Sequence, residues 1–260
     1  MFGTVILDAY TKEETEELAS AINDLCCPTD SYGWASAGVY SFWDYNTHEL
    51  LYIGLASDLY ERFRQHNGFT PVSDECCKYQ QIQDYFESHE KLGYTIFVQS
   101  PLSQPLVHRN KDMYEKIAKE LNSTVQNMMD KQGINDIKRV EGILIEAYRK
   151  YMGRYPAWNK MGGSVEGQKR VMDNNINIVK SFSNPQMYDV SPIMSRSTIR
   201  ELSNNPTYES FESFLHAVRM FVLILGVDFE QALNIQNQFD TYGWYKRICE
   251  EKYLEKKLVL

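Results

Sequence analysis

The fold is decided by Gly38-Val-Tyr-Ser-Phe-Trp-Asp44 and, after Tyr45-Asn-Thr-His-Glu49, by Leu50-Leu-Tyr-Ile-Gly54. Two apolar and aromatic runs on either side of a polar turn read as an antiparallel hairpin. Tyr40 and Tyr52 are an even number of residues apart, so a register that sets them directly opposite puts both phenols on one face, with Cβ atoms ~5 Å apart. Such a pair serves either cross-strand packing or a shared pocket.

The chain downstream adds two constraints. A helix is expected over about 57–66, and at about 100° per residue Arg62 and His66 share a face at the edge of the Leu59/Phe63 stripe, while Arg64 points to solvent. A cation beside the core needs an anion, either a phosphate or a structural carboxylate. A second helix is expected over 138–152. On the same wheel Glu141 falls inside the apolar arc of Val140, Leu144, Tyr148 and Met152, whereas Glu146 falls among Arg149 and Lys150 on the polar side. A carboxylate on an apolar face must find a cation, a metal or hydrogen-bond donors. Glu141 is therefore the candidate acid and Glu146 a solvated residue.

Gly38-Val39-Tyr40, Tyr52-Ile53-Gly54, then Arg62 and His66, then Glu141 in Glu-Gly-Ile-Leu-Ile145, then Pro156-Ala-Trp-Asn159 form an ordered set that resembles the GIY-YIG nuclease superfamily over about residues 36–163. The resemblance implies an α+β fold with a three-stranded antiparallel sheet flanked by helices. It also implies phosphodiester hydrolysis with one divalent cation, Mg²⁺ or Mn²⁺. Carried over residue by residue, Tyr40 activates water, and Tyr52 orients the water or the phosphate. Arg62 stabilises the developing charge, and His66 assists proton transfer or holds the nucleophile. Glu141 is the metal ligand, and Asn159 hydrogen-bonds within the site. Met152–Tyr155 lengthens the stretch between Glu141 and Asn159. The expected function is a metal-dependent endonuclease acting on nucleic acid, DNA favoured over RNA. The alternative is a catalytically silent nucleic-acid- or protein-binding module on the same scaffold.

Composition sets the outer bounds. The chain has 260 residues, 43% hydrophobic and 24% charged, the usage of a globular protein. The start lacks a basic segment followed by a long apolar run, and the apolar stretch 217–227 is too short to span a bilayer, so a cytoplasmic protein with no membrane partner is expected. The net charge of −8 is uneven: residues 1–35 carry −6, 36–170 are neutral and 171–260 carry −2. Within the neutral part, 137–170 carries a local +5, in which Lys138, Arg139, Arg149, Lys150, Arg154 and Lys160 are candidates for a phosphate backbone or form a solvated helix face. The cysteines, as Cys26-Cys27, Cys76-Cys77 and Cys249, fit neither a disulfide framework nor a zinc site and are expected as reduced thiols.

Three segments follow. Residues 1–35 are a strand and helix packed on the core, with Thr11 and Glu14 in capping-box spacing. Residues 36–170 are the nuclease-like unit, with a third strand at 94–99 and helices over about 78–89, 110–132 and 138–152. Residues 171–260 are mostly helical, with a second capping box at Thr198/Glu201 and an apolar stripe Phe211, Phe214, Leu215, Val218, Val222. That layer is expected to choose the substrate or to carry a homodimer or protein-partner contact. The Gly162–Lys169 run is similar to a phosphate-binding loop but has Gln168 where the lysine belongs and no preceding strand, so it is read as a plain loop.

Overall fold

The computed structural model describes residues 1–27, 33–70, 77–104, 108–125 and 133–260. Cys76 and the last residues of the 110–132 helix expected from sequence lie outside them. The fold is α+β. Strands β1 (Phe2–Tyr10), β2 (Gly38–Asp44), β3 (Leu50–Ala56) and β4 (Leu92–Gln99) form one antiparallel sheet in the order β1-β4-β2-β3. The three strands expected are all present, and the sheet has a fourth. Phe2–Tyr10 is not merely packed on the core but pairs along β4, with Val5 opposite Phe97. Every residue of β1, β2 and β4 is buried, which is why Phe-Gly-Thr-Val-Ile-Leu-Asp-Ala-Tyr runs apolar without strict alternation.

Helices cover both faces. On one, α1 (Thr15–Cys26), α2 (Leu59–His66) and α3 (Tyr79–Phe86) pack on Ile6, Tyr10, Tyr40, Phe42, Tyr94 and Ile96. On the other, Val5, Leu7, Val39, Trp43, Ile53 and Phe97 meet α5 (Gly133–Met152) and α7 (Asn175–Lys180). Between these two in sequence come α4 (His108–Glu120) and the one-turn α6 (Val165–Gln168). Local chemistry sets the helix starts. Thr11 and Glu14 exchange their capping-box hydrogen bonds just ahead of α1, and Asp58 accepts from the Glu61 N–H to open α2.

The C-terminal region contains α8 (Ile199–Asn204), α9 (Pro206–Leu225), α10 (Phe229–Asn237) and α11 (Trp244–Glu250). The Thr198/Glu201 capping box forms as expected. Phe211, Phe214, Leu215 and Val218 pack with Ala232, Leu233, Ile248 and Tyr253 into a third core, while Val222 is only partly buried at its margin. This layer is tied to β1. Arg200 of α8 donates to the buried Asp8 carboxylate three times, at 2.9–3.1 Å. Buried Arg219 bonds Glu212, Thr4 and the Pro192 and Met194 carbonyls.

Both sheet edges are closed. At β1 the Val5 N–H donates to the Ile193 carbonyl and the Ser195 N–H to the Val5 carbonyl, each at 2.8 Å. At β3 the Trp158 N–H donates to the Leu51 carbonyl at 2.7 Å, and the Asn159 amide takes the next position, donating to the Ile53 carbonyl at 2.8 Å and accepting its N–H at 2.9 Å. No exposed ladder is left for another chain to extend at those positions.

Candidate active site

The hairpin register differs by one pair from a directly opposed arrangement of the tyrosines. Tyr40 faces Gly54 and Tyr52 faces Phe42, so the two phenols are diagonal neighbours on one face, ring centroids 5.8 Å apart. Gly54 makes this possible: a Cβ there would lie 2.7 Å from the Tyr40 oxygen and 2.5 Å from the Tyr52 ring. The glycine opposite Tyr40 is thus a requirement of close approach, not of backbone conformation. Tyr40 is fully buried and Tyr52 only partly, so Tyr52 forms the open end of the pair.

At the buried end stands His66, the last residue of α2. The Lys78 backbone N–H donates to its Nδ1 at 2.8 Å, and its Nε2 lies 2.5 Å from the Tyr40 oxygen. Burial, with Arg62 and Lys78 adding to it, pushes the imidazole down to about 3, so the ring is neutral. A neutral ring whose Nδ1 accepts must carry its proton on Nε2. His66 therefore donates to Tyr40, and Tyr40 is free to direct its own proton to Tyr52. The directions of the phenol shifts agree: the contact between them raises Tyr40 and lowers Tyr52. Burial dominates in both and holds them protonated, and the Arg62 charge opposes it. Arg62 and His66 lie together as their shared helix face predicts, while Arg64, expected in solvent, is half-buried and donates to the Tyr60 hydroxyl at 2.9 Å.

Glu141 comes from α5, where that helix passes β3. Its side chain is half-buried, close enough to Tyr52 to raise that phenol, and burial alone lifts its own carboxyl to about 7. Among the described residues no cation pairs with it. The following residue, Gly142, lets the loop after α5 close over the helix: a Cβ on it would meet the Ser164 carbonyl at 2.5 Å. Gly163 of that loop lies against the Glu141 carboxylate. The Gly162–Lys169 run is thus a packing element beside the acid, ending in the one-turn α6 rather than staying a plain loop. Gly153, with φ +74°, ends α5, and the loop returns to β3. Asn159 does not enter the tyrosine pair but holds the backbone of Ile53, between Tyr52 and Gly54.

Glu146 is not solvated as its wheel position suggested. It is buried, because Arg149 folds over it with two 2.7 Å hydrogen bonds that also hold its carboxyl below the usual range. Of the basic candidates, Arg139 pairs with Asp136 and Glu166, Arg149 with Glu146 and Arg154 with Glu49, whereas Lys138, Lys150 and Lys160 are exposed. The local +5 is therefore largely committed to internal pairs on its arginine side.

One residue of the cluster is not marked by any motif. Lys78 supplies the N–H that fixes the His66 tautomer, and its ammonium sits over the Tyr52 ring, 4.9 Å from the centroid. Its only sequence signal is a base at the start of a helix, which is unspecific. Four cysteines are described as free thiols, Cys26 and Cys77 buried, Cys27 half-buried and Cys249 exposed. No described helix is long and apolar enough to cross a membrane, and no group of three or more His, Cys, Asp and Glu side chains gathers among the described residues. No family model, no curated protein and no solved structure matches the chain.

Proposed function

We propose that the protein is a metal-dependent endonuclease of GIY-YIG type, hydrolysing phosphodiester bonds in nucleic acid. The observation that carries the reading is the chain His66 Nε2–H to Tyr40 to Tyr52, flanked by Arg62 and opened toward a carboxylate, Glu141, that has no cationic partner among the described residues. A lone hard oxygen donor suits a hydrated divalent cation that completes its shell with water and phosphate oxygens. Glu141 would hold that ion. When bound, it supplies positive charge for the phosphate and for ionised oxygen nearby.

The side chains divide the work by position. Tyr40 accepts the proton of the attacking water as the tyrosinate, its own proton having left by way of Tyr52 to solvent at the open end of the pair. A phenol near pKa ~10 is a poor base at neutral pH unless its anion is stabilised. The His66 donor and the Arg62 charge favour the anion, against the burial that otherwise holds the phenol protonated. Tyr52, at the open end, orients the water or the phosphate, and Arg62 meets the charge that develops on the phosphate oxygens. Asn159 acts by holding the backbone on either side of which Tyr52 and Gly54 sit.

The test is incubation of the purified chain with supercoiled, linear, single-stranded and branched DNA and with RNA, in Mg²⁺, Mn²⁺ or EDTA. Cleavage that needs the ion and disappears in Glu141→Gln, while Glu146→Gln keeps it, is the expected result. Ion-independent cleavage, or equal activity of Glu141→Gln and wild type, would overturn the reading.

A further inference from the structure

The tyrosine cluster is unusual in its charge. In a chain of net −8, Arg62 acts on Tyr52 and His66, the Lys78 ammonium lies over the Tyr52 ring, and the exposed Lys160, next to the Asn159 that bonds Ile53, acts on Lys78. Lys78 is the least expected of them. The residue is 7% exposed, and no described carboxylate lies within ion-pair distance of its ammonium. Burial and the neighbouring Lys160 both push that ammonium down from the usual lysine range. A desolvated cation beside a second cation is costly unless an anion joins them. The aromatic face of Tyr52 offsets part of that cost.

We infer that Lys78 is a phosphate-binding residue of the site, its ammonium taking a non-bridging oxygen of the bound phosphodiester above the Tyr52 ring, with Lys160 at the outer rim of the same anion site. This rests on the nuclease reading and adds to it a residue outside the motif set. Two functions meet in one residue. The backbone N–H of Lys78 sets the proton on His66, and the side chain meets the substrate. Substitution of the side chain leaves the first function untouched, so the two are separable.

The experiment measures binding of the full chain to a labelled DNA duplex in EDTA, as a function of salt, for wild type, Lys78→Met, Lys78→Arg and Lys160→Met. A lost phosphate contact lowers the magnitude of the log–log salt slope by ~0.9. Lys78→Met is expected to show that loss and Lys78→Arg to restore it, with single-turnover cleavage in Mg²⁺ falling ~10²-fold in the methionine variant. Lys160→Met is expected to reduce the slope as well and to lower cleavage less than Lys78→Met does, as the outer of the two contacts. The melting temperature of Lys78→Met should equal or exceed that of wild type, since a strained charge has been removed. If Lys78→Met does not fold, Lys78→Gln answers the same slope question. An unchanged slope in a folded Lys78 variant, with wild type binding normally, overturns the role of Lys78 alone. Absence of any nucleic-acid binding by wild type overturns the nuclease reading and this inference with it.

Discussion

At the scale of single residues, the environment of each titratable group decides what it can do. Glu141 is lifted to about 7 by burial, so the native chain binds a proton there that the unfolded chain has released above ~4.3. The sign follows: this group costs stability as pH rises from about 4 to 7, up to about 3–4 kcal/mol at ~1.4 per pKa unit. Glu141→Gln should therefore melt higher than wild type at pH 8 and equally at pH 4. A divalent cation binds only the ionised form, so the rise in melting temperature on adding Mg²⁺ or Mn²⁺ should grow through pH 7 and vanish in Glu141→Gln. A cation effect equal in both proteins would place the ion elsewhere. His66 works in the opposite sense as a donor with a fixed tautomer. Tyr40→Phe and Arg62→Ala should each lower single-turnover rate by ~10² to 10³ with little change in nucleic-acid affinity, because both act on charge that appears during the reaction.

At the scale of elements, the site depends on how the loop after α5 closes the edge of β3. Asn159 substitutes for a missing strand by bonding both the N–H and the carbonyl of Ile53. Asn159→Ala leaves two backbone groups without those partners, and a stability loss of about 1–3 kcal/mol is expected from denaturant melts. Cleavage should fall along with it, since Tyr52 and Gly54 flank the freed residue. Gly54→Ala is the complementary test. The added methyl collides with both phenols, so activity should be lost even where the melt shows the fold retained. Wild-type rates in a folded Gly54→Ala protein would mean that the tyrosine pair tolerates displacement and does not do the chemistry.

At the scale of the whole molecule, the helical C-terminal region is part of what holds the sheet. Its residues fill the outer edge of β1 and pair the buried Asp8, so a chain ending near residue 170 would leave that carboxylate buried without Arg200 and strip the cover from Val5. Such a truncation is expected to unfold or aggregate rather than to yield a smaller active nuclease, as circular dichroism and gel filtration would show. Arg200→Met in the full chain isolates one element of this and should cost about 3–5 kcal/mol, the price of breaking a buried pair from one side. Acid sensitivity comes from two buried histidines. His66 and His216 are both depressed to about 3 by burial, so each contributes stability that is present above ~6.5 and lost as pH falls toward 3. Replacing His216 by an uncharged residue of similar size should flatten that acid limb of the stability profile.

The sequence by itself determined the features that local chemistry controls. The hairpin, the faces of α2 and α5, both capping boxes and the placing of Glu141 on an apolar arc follow from residue spacing, because period and capping act over a few residues. The ordered motif set Tyr40, Tyr52, Arg62, His66, Glu141 and Asn159 is visible in the chain as a resemblance to a known pattern, not as a consequence of spacing or capping. Only the tertiary structure decided what depends on distant partners. That Phe2–Tyr10 joins the sheet rests on its pairing with β4, some ninety residues away. That Glu146 is covered rests on how Arg149 folds back, which a helical wheel does not show. The tautomer of His66 is set by a backbone N–H twelve residues further on, and the place of Lys78 over Tyr52 by the packing of α3 against α2. Proton positions and electrostatic neighbourhoods are properties of three-dimensional proximity, and no spacing in the chain encodes them.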